Sequence, residues 1–188
     1  MQKPNGYNET KAGGDYTPVT VGGHHLIIKK LEETKSKDGK PMVKIMFDMA
    51  ANDSQPEYGM NEFKNDIRPE KKWPNVCTAY VLTQNDDGKC SKSFKGFTTS
   101  FEASNNCEVK WGDNFGDQFT NKKIGGVFGK VEKEYQGKRS MRTELRWFCA
   151  DDKADEATVP ADKMLGGSVK VSSDGFSAIP STDALPWG

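Results

Sequence analysis

What this chain lacks narrows it before any motif is read. No apolar run approaches the roughly 18 residues that a membrane-spanning helix requires. The opening stretch, MQKPNGYNETKAGG, has no hydrophobic core of a secretory signal. Both features lead to the expectation of a cytoplasmic protein with no membrane partner. Cysteine is sparse: Cys77, Cys90, Cys107 and Cys149 stand far apart with no C-x-x-C pair. Reduced thiols are expected, and neither a disulfide framework nor a zinc site has much to build on. The two histidines, His24 and His25, are adjacent. On a strand they would point to opposite faces and could not easily share a metal, so a pH-insensitive surface pair is expected. No Ser-His-Asp or Cys-His arrangement can be assigned, and neither metal nor cofactor is expected. Apolar residues make up only 34% of the 188. With a mean hydropathy of −0.79, that composition implies one core surrounded by exposed, polar segments.

Net charge is zero, but it is unevenly spread. Residues 1–150 carry 24 Lys+Arg against 20 Asp+Glu, whereas residues 151–188 carry 3 against 7. A mildly basic body with an acidic tail suggests an anionic ligand for the body and a separate role for the tail. The chain accordingly reads as an arm (1–20), a folded domain (21–150) and an acidic, largely disordered tail (151–188).

Periodicity predicts mainly strands. The stretch KKIGGVFGKVEKEYQGKRSMRTELRWFC (122–149) reads as two strands joined by a turn at Gln136-Gly137. On the second, Lys138, Ser140, Arg142, Glu144 and Arg146 share one face, and Arg139, Met141, Thr143, Leu145 and Trp147 the other. Met141, Leu145 and Trp147 are assigned to the core, and Lys138, Arg142 and Arg146 to a ligand-facing side. A one-residue slip in register would exchange the two sets. Gly125, Gly126 and Gly129 suggest a bulge or tight bend. An earlier hairpin places Leu26, Ile27, Ile28 and Leu31 on its first strand and Met42–Met49 on its second. The cationic loop KSKDGKP joins them, turning at Asp38-Gly39. Val43, Ile45, Phe47 and Met49 are the expected core face of that second strand. A third strand is read near Gly59–Lys64. Thr78–Leu82 fits either a strand or the start of a helix, and a further short strand is read at Gly167–Val171. Phe94, Phe97 and Phe101 at i, i+3 and i+7 mark a helix over Ser91–Ser104.

Three strands, a helix and two strands is the order of an OB-fold, a five-stranded Greek-key barrel with one helix between strands three and four. A small sandwich or another partly open barrel is the alternative. Such a barrel binds nucleic acid on the strand two–three face between two loops, here KSKDGKP and YQGKR, both basic. The candidate phosphate-tracking cations are Lys35, Lys37, Lys40, Lys44, Lys130, Lys138, Arg139, Arg142 and Arg146. The candidate stacking rings are Tyr58, Phe63, Trp73, Tyr80 and Tyr135.

Enzyme readings are weaker. Gly125–Lys130 lacks the spacing, the hydroxyl residue and the following helix of a phosphate loop. Asp48 with Glu62-Phe63-Lys64 is similar to the acid–acid–lysine set of magnesium-dependent nucleases, but the α/β core such enzymes use is absent. The expectation is therefore a non-enzymatic protein, with nuclease activity as a minor alternative.

Two resemblances bear on function. The ending Asp183-Ala184-Leu185-Pro186-Trp187-Gly188, after an acidic run, resembles the C-terminal tip of bacterial and phage single-stranded DNA-binding proteins. It differs in having Trp187 for Phe, Ala184 for an acid and an added Gly188. That resemblance implies recruitment of replication, recombination or repair proteins through Asp183, Leu185, Pro186 and Trp187. Over about 140 residues, the AGG at 12–14, KIMFDMA (44–50), Trp73-Pro74, FKGF…FEASN (94–105) and Trp111 look like a family of small phage-encoded proteins. Members of that family are associated with replication and recombination and with single-stranded DNA. Membership implies an OB-fold protein that coats single strands in the bacterial host cell. A barrel that serves as a protein-interaction module without binding nucleic acid is the alternative from another class, and self-association is compatible with either.

Overall fold

The computed structural model describes residues 1–8 and 17–166. The strand expected at 167–171, the AGG stretch and the C-terminal tip lie outside them. Five strands form one antiparallel sheet: β1 (Gly22–Lys35), β2 (Pro41–Met49), β3 (Thr78–Leu82), β4 (Lys123–Tyr135) and β5 (Lys138–Cys149), in the order β3-β2-β1-β4-β5. Two α-helices are α1 (Tyr58–Asn65) and α2 (Lys92–Asn105). No helix among the described residues is long and apolar enough to cross a membrane.

Alternation does build the strands. Val43, Ile45, Phe47 and Met49 of β2 are all buried, and Leu26, Ile28 and Leu31 of β1 join them. Gln136 and Gly137 both take positive φ, 50° and 73°. That is the mirror-image two-residue turn whose twist matches a hairpin, and glycine accommodates its second position at little cost. Helix α2 begins where Ser91 Oγ accepts the Phe94 N–H at 3.0 Å, a side-chain cap worth about 1 kcal/mol. Its buried stripe of Phe94, Phe97 and Phe101 meets Phe119, 4.4 Å from Phe101 and 5.3 Å from Phe97 between ring centroids. Each buried ring contributes about 1.5–3 kcal/mol from its removal from water.

The third strand is not where the sequence pattern put it. Gly59–Lys64 lies within α1, and Thr78–Leu82 is the strand that pairs with β2. Helix α1 has no cap of its own: Glu57 at its start is left-handed and makes no side-chain cap bond. Asp48 on β2 supplies the cap from outside, accepting from Gly59 N at 2.6 Å and Met60 N at 3.1 Å. Gly59 is needed there, because a Cβ would lie 2.9 Å from Trp73 and 3.0 Å from Asp48 Oδ1.

A second departure lies in β5. Its pairing with β4 shifts between Leu145, opposite Phe128, and Trp147, opposite Val127, so Arg146 is the extra residue of a bulge. The bulge turns the following side chains over. Phe148, not Trp147, packs inward, 5.1 Å from Phe97 and 6.2 Å from Phe47, while Trp147 is 43% exposed. Assigning Trp147 to the core was therefore incorrect, and Met141, 39% exposed, is marginal to it.

A third departure concerns the expected tail. Residues 151–166 pack as a strap across the outer face of β1 and β4. Ala154 is buried, and its carbonyl oxygen sits 1.8 Å from where a Gly23 Cβ would be. Only glycine admits this approach. Lys163 forms a parallel bridge with Val131, and Glu132 N–H donates to Lys163 O at 2.7 Å. The strap follows β4 along the edge that β1 leaves free beyond Gly22.

Candidate nucleic-acid interface

The strap decides which part of the sheet's outer surface stays open. It covers the face that carries Gly23, His25 and Gly125, and a Cβ on Gly125 would meet Ala150 O at 2.7 Å. Among the described residues no such strap lies over the outer face of β2 and β3 at Lys44 and Tyr80. There, cross-strand pairs set three rows side by side: Met46 opposite Thr78, Lys44 opposite Tyr80, and Met42 opposite Leu82. Tyr80 is 62% exposed and Leu82 39%. Lys44 in turn faces Glu32 on β1, with Nζ 3.5 Å from the carboxylate. Lys30 sits 2.6 Å from the same group, and its hydrogen bond holds the Glu32 carboxyl below its usual range.

The proposed cations separate into two groups. Lys35, Lys37, Lys138 and Arg142 are exposed and form no ion pair among the described residues. Lys130, half-buried on β4, likewise has none. Lys40 is paired with Asp86, and Arg139 with Glu134 at 3.1 Å. Arg146 is committed to the fold: its Nη1 donates to Ala161 O at 3.1 Å, tying the bulge to the strap. Lys138 and Arg142 do share the β5 face opposite Leu145, as alternation expects, along with Glu144, which Lys133 meets at 3.2 Å. The two basic loops do not form one cluster. The β1–β2 loop extends beyond Lys35, while β4 runs past Gly22 to its turn, so the loops lie beyond opposite ends of β1.

The proposed stacking rings also divide. Tyr80 and Tyr135, 62% and 68% exposed, present open faces. Tyr58 is only 8% exposed and belongs to the core, so it cannot stack a base as expected. Trp73 is packed against the core, and its indole N–H donates to Phe47 O and Cys77 O at 3.2 and 3.1 Å. Phe63 lies 5.9 Å from Trp73 and shares its site. Both are fixed by their packing rather than offered to a ligand. Trp111, 69% exposed, was not among the expected stacking residues. Its sequence signals are a large aromatic in a polar loop and its place among the residues that carry the phage-family resemblance.

The histidines are not a surface pair. His24 is 1% exposed, with Nδ1 3.0 Å from Asp53 Oδ1. Burial raises the Asp53 pKa, but hydrogen bonds from His24, Gln55 N and His25 N outweigh it and leave the net value lowered. His25 bonds Asp151 through Nδ1 at 2.8 Å and meets Asp155 at 3.3 Å. The Asp151 hydrogen bond raises its pKa against the opposing effect of burial. Sequence alternation placed the pair on opposite faces correctly but could not supply the carboxylates. Asp48, the proposed nuclease carboxylate, is 1% exposed and has both oxygens occupied by backbone amides. Cys77 and Cys149 are held as thiols by burial, with Cys149 pushed up to about 11.

No protein-family model matches this chain, and no curated protein matches it.

Proposed function

We propose that the chain binds single-stranded DNA without sequence preference, stacking bases on the open β2–β3 face. The observation that carries this reading is Tyr80, a largely exposed ring opposite Lys44 on the part of the sheet that the strap leaves uncovered. Stacking on an aromatic face is worth about 1–3 kcal/mol per base and tolerates any sequence, while lysines track the phosphates. Lys35 and Lys37 at one end of β1, and Lys138 and Arg142 beyond the other, would extend the phosphate track.

The strand order and the helix between β3 and β4 suit an OB-type barrel, which binds through this face. Packing of α2 against β3, β4 and β5, and of β5 near the 3-10 turn before β3, supports curling toward closure. On this reading the protein acts in phage replication or recombination in the host cytoplasm, and its C-terminal tip recruits partner proteins.

One observation supports a second reading. Met42, Met46 and Leu82 make the same face partly apolar, which would also suit a protein partner. Fluorescence anisotropy of labelled oligo-dT at two salt concentrations separates the two. DNA binding predicts tight association at low salt that falls as cations are added, because bound lysines release counterions. No binding at low salt would reject it.

A further inference from the structure

We propose that Trp111 is a second base-stacking position, reached from Tyr80 across the first turn of α2. The inference rests on the single-strand reading given above. Trp111 is 69% exposed, yet its ring is held on two sides. It stacks on Phe115 at 5.2 Å with only 17° between the planes, and it meets Phe94 edge-on at 6.2 Å. With one face on Phe115, that degree of exposure leaves the other face to solvent.

The surrounding backbone is pinned. Gln118 accepts from Lys110 N at 2.8 Å and donates to Lys110 O at 2.7 Å and Phe115 O at 2.9 Å. Val109, 7% exposed, donates its N–H to Glu102 Oε1 at 2.9 Å. An indole displayed on so rigid a frame loses little conformational freedom when a flat partner covers it.

Contacts link this ring to the β3 face. Leu82 stands two residues beyond Tyr80, about 7 Å along the strand. Ser91, the α2 cap, bonds Leu82 O through its hydroxyl and Thr83 O through its N–H at 2.9 Å. Phe94, one turn on, touches Trp111. The exposed, one-side-stacked indole favours a ligand with flat rings. Lysines at this end, Lys89, Lys92, Lys95 and Lys110, are interspersed with the acids Asp86, Asp87 and Glu102. Lys89 is paired with Asp87 at 3.4 Å, and the acids nearest Trp111 in sequence are Glu108 and Asp113. On the single-strand reading, the ligand this open ring fits is a nucleobase.

The test uses the full chain with Trp111→Ala, Trp111→Phe and Tyr80→Ala in oligo-dT anisotropy at low salt. Trp111→Ala should weaken binding roughly 5- to 150-fold, the range expected for one lost stack. Trp111→Phe should recover most of the affinity while losing part of the tryptophan quenching that oligo-dT causes in the parent. Equal losses in the Phe and Ala variants, or unchanged quenching in Trp111→Phe, would overturn the proposal. If the parent binds and Tyr80→Ala weakens it while Trp111→Ala does not, this inference alone fails. If the parent does not bind at all, the single-strand reading fails with it.

Discussion

Tyr80 on β3 and Lys44 on β2 are direct cross-strand partners on the outer face of the sheet, the ring open to water and the ammonium tied to Glu32 at 3.5 Å. On the proposed single-strand reading the pair combines a stacking ring with a cation, and the Glu32 contact limits how far the lysine can stray.

Tyr80→Ala should therefore reduce oligo-dT affinity by about 1–3 kcal/mol while changing stability by less than about 0.5 kcal/mol, as exposed substitutions usually do. Tyr58→Ala should do the reverse, costing about 3 kcal/mol of stability through the cavity it leaves. Binding titrations paired with urea melts of both variants check this. A Tyr58 variant of unchanged stability would contradict its place in the core.

The bulge at Arg146 makes a contrast that simple alternation would reverse. Phe148→Ala should cost about 2–4 kcal/mol, since its ring fills space between Phe47 and Phe97. Trp147→Ala should cost about 1 kcal/mol or less, because much of that ring already meets water. Urea midpoints for the two variants decide the register, and a larger loss at Trp147 would place the bulge elsewhere.

Asp48→Ala strips the external cap from α1 and leaves the buried amides of Met49 and Gly59 without their acceptor. Each such orphaned donor costs about 1–3 kcal/mol. The expected result is a clear drop in the thermal midpoint and loss of helical signal. An Asp48→Ala protein of parental stability that had lost a magnesium-dependent cleavage activity would instead revive the nuclease reading.

His25 gives the fold a pH dependence with a defined sign. Its pKa is raised above 6.5 by Asp151 and Asp155, with Lys123 facing Asp151 at 3.2 Å on the other side. The protonated form is favoured in the folded state. This contribution is therefore complete below about pH 6.5 and disappears as pH rises through the higher folded value. Denaturant midpoints should fall across that window in the parent and fall less in His25→Gln. Cleavage of the 151–166 strap by a protease should rise over the same range. Parallel curves for the two proteins would exclude the linkage.

Alternation alone placed both hairpins, the Gln136-Gly137 turn and the core face of β2, and the spacing of Phe94, Phe97 and Phe101 placed α2. These are local patterns, in which each residue's role depends on neighbours a few positions away. Residue type also marked Tyr80 and Tyr135 as candidate stacking rings, but could not separate these exposed rings from Tyr58 and Trp73, because a ring that packs and a ring left exposed carry the same local signal. Three features depended on partners distant in the chain. Helix α1 forms over a stretch read as strand because Asp48, outside the helix, caps it. Trp147 and Phe148 exchange faces because β5 accommodates an extra residue against β4. The acidic run after Ala150 becomes a strap because His25, Gly23 and Val131 offer it a carboxylate partner, a gap and a free strand edge. The sequence determined the two hairpins and which side of most strands is apolar. The tertiary structure determined which outer face the described residues leave open, because that face is defined by what covers the rest.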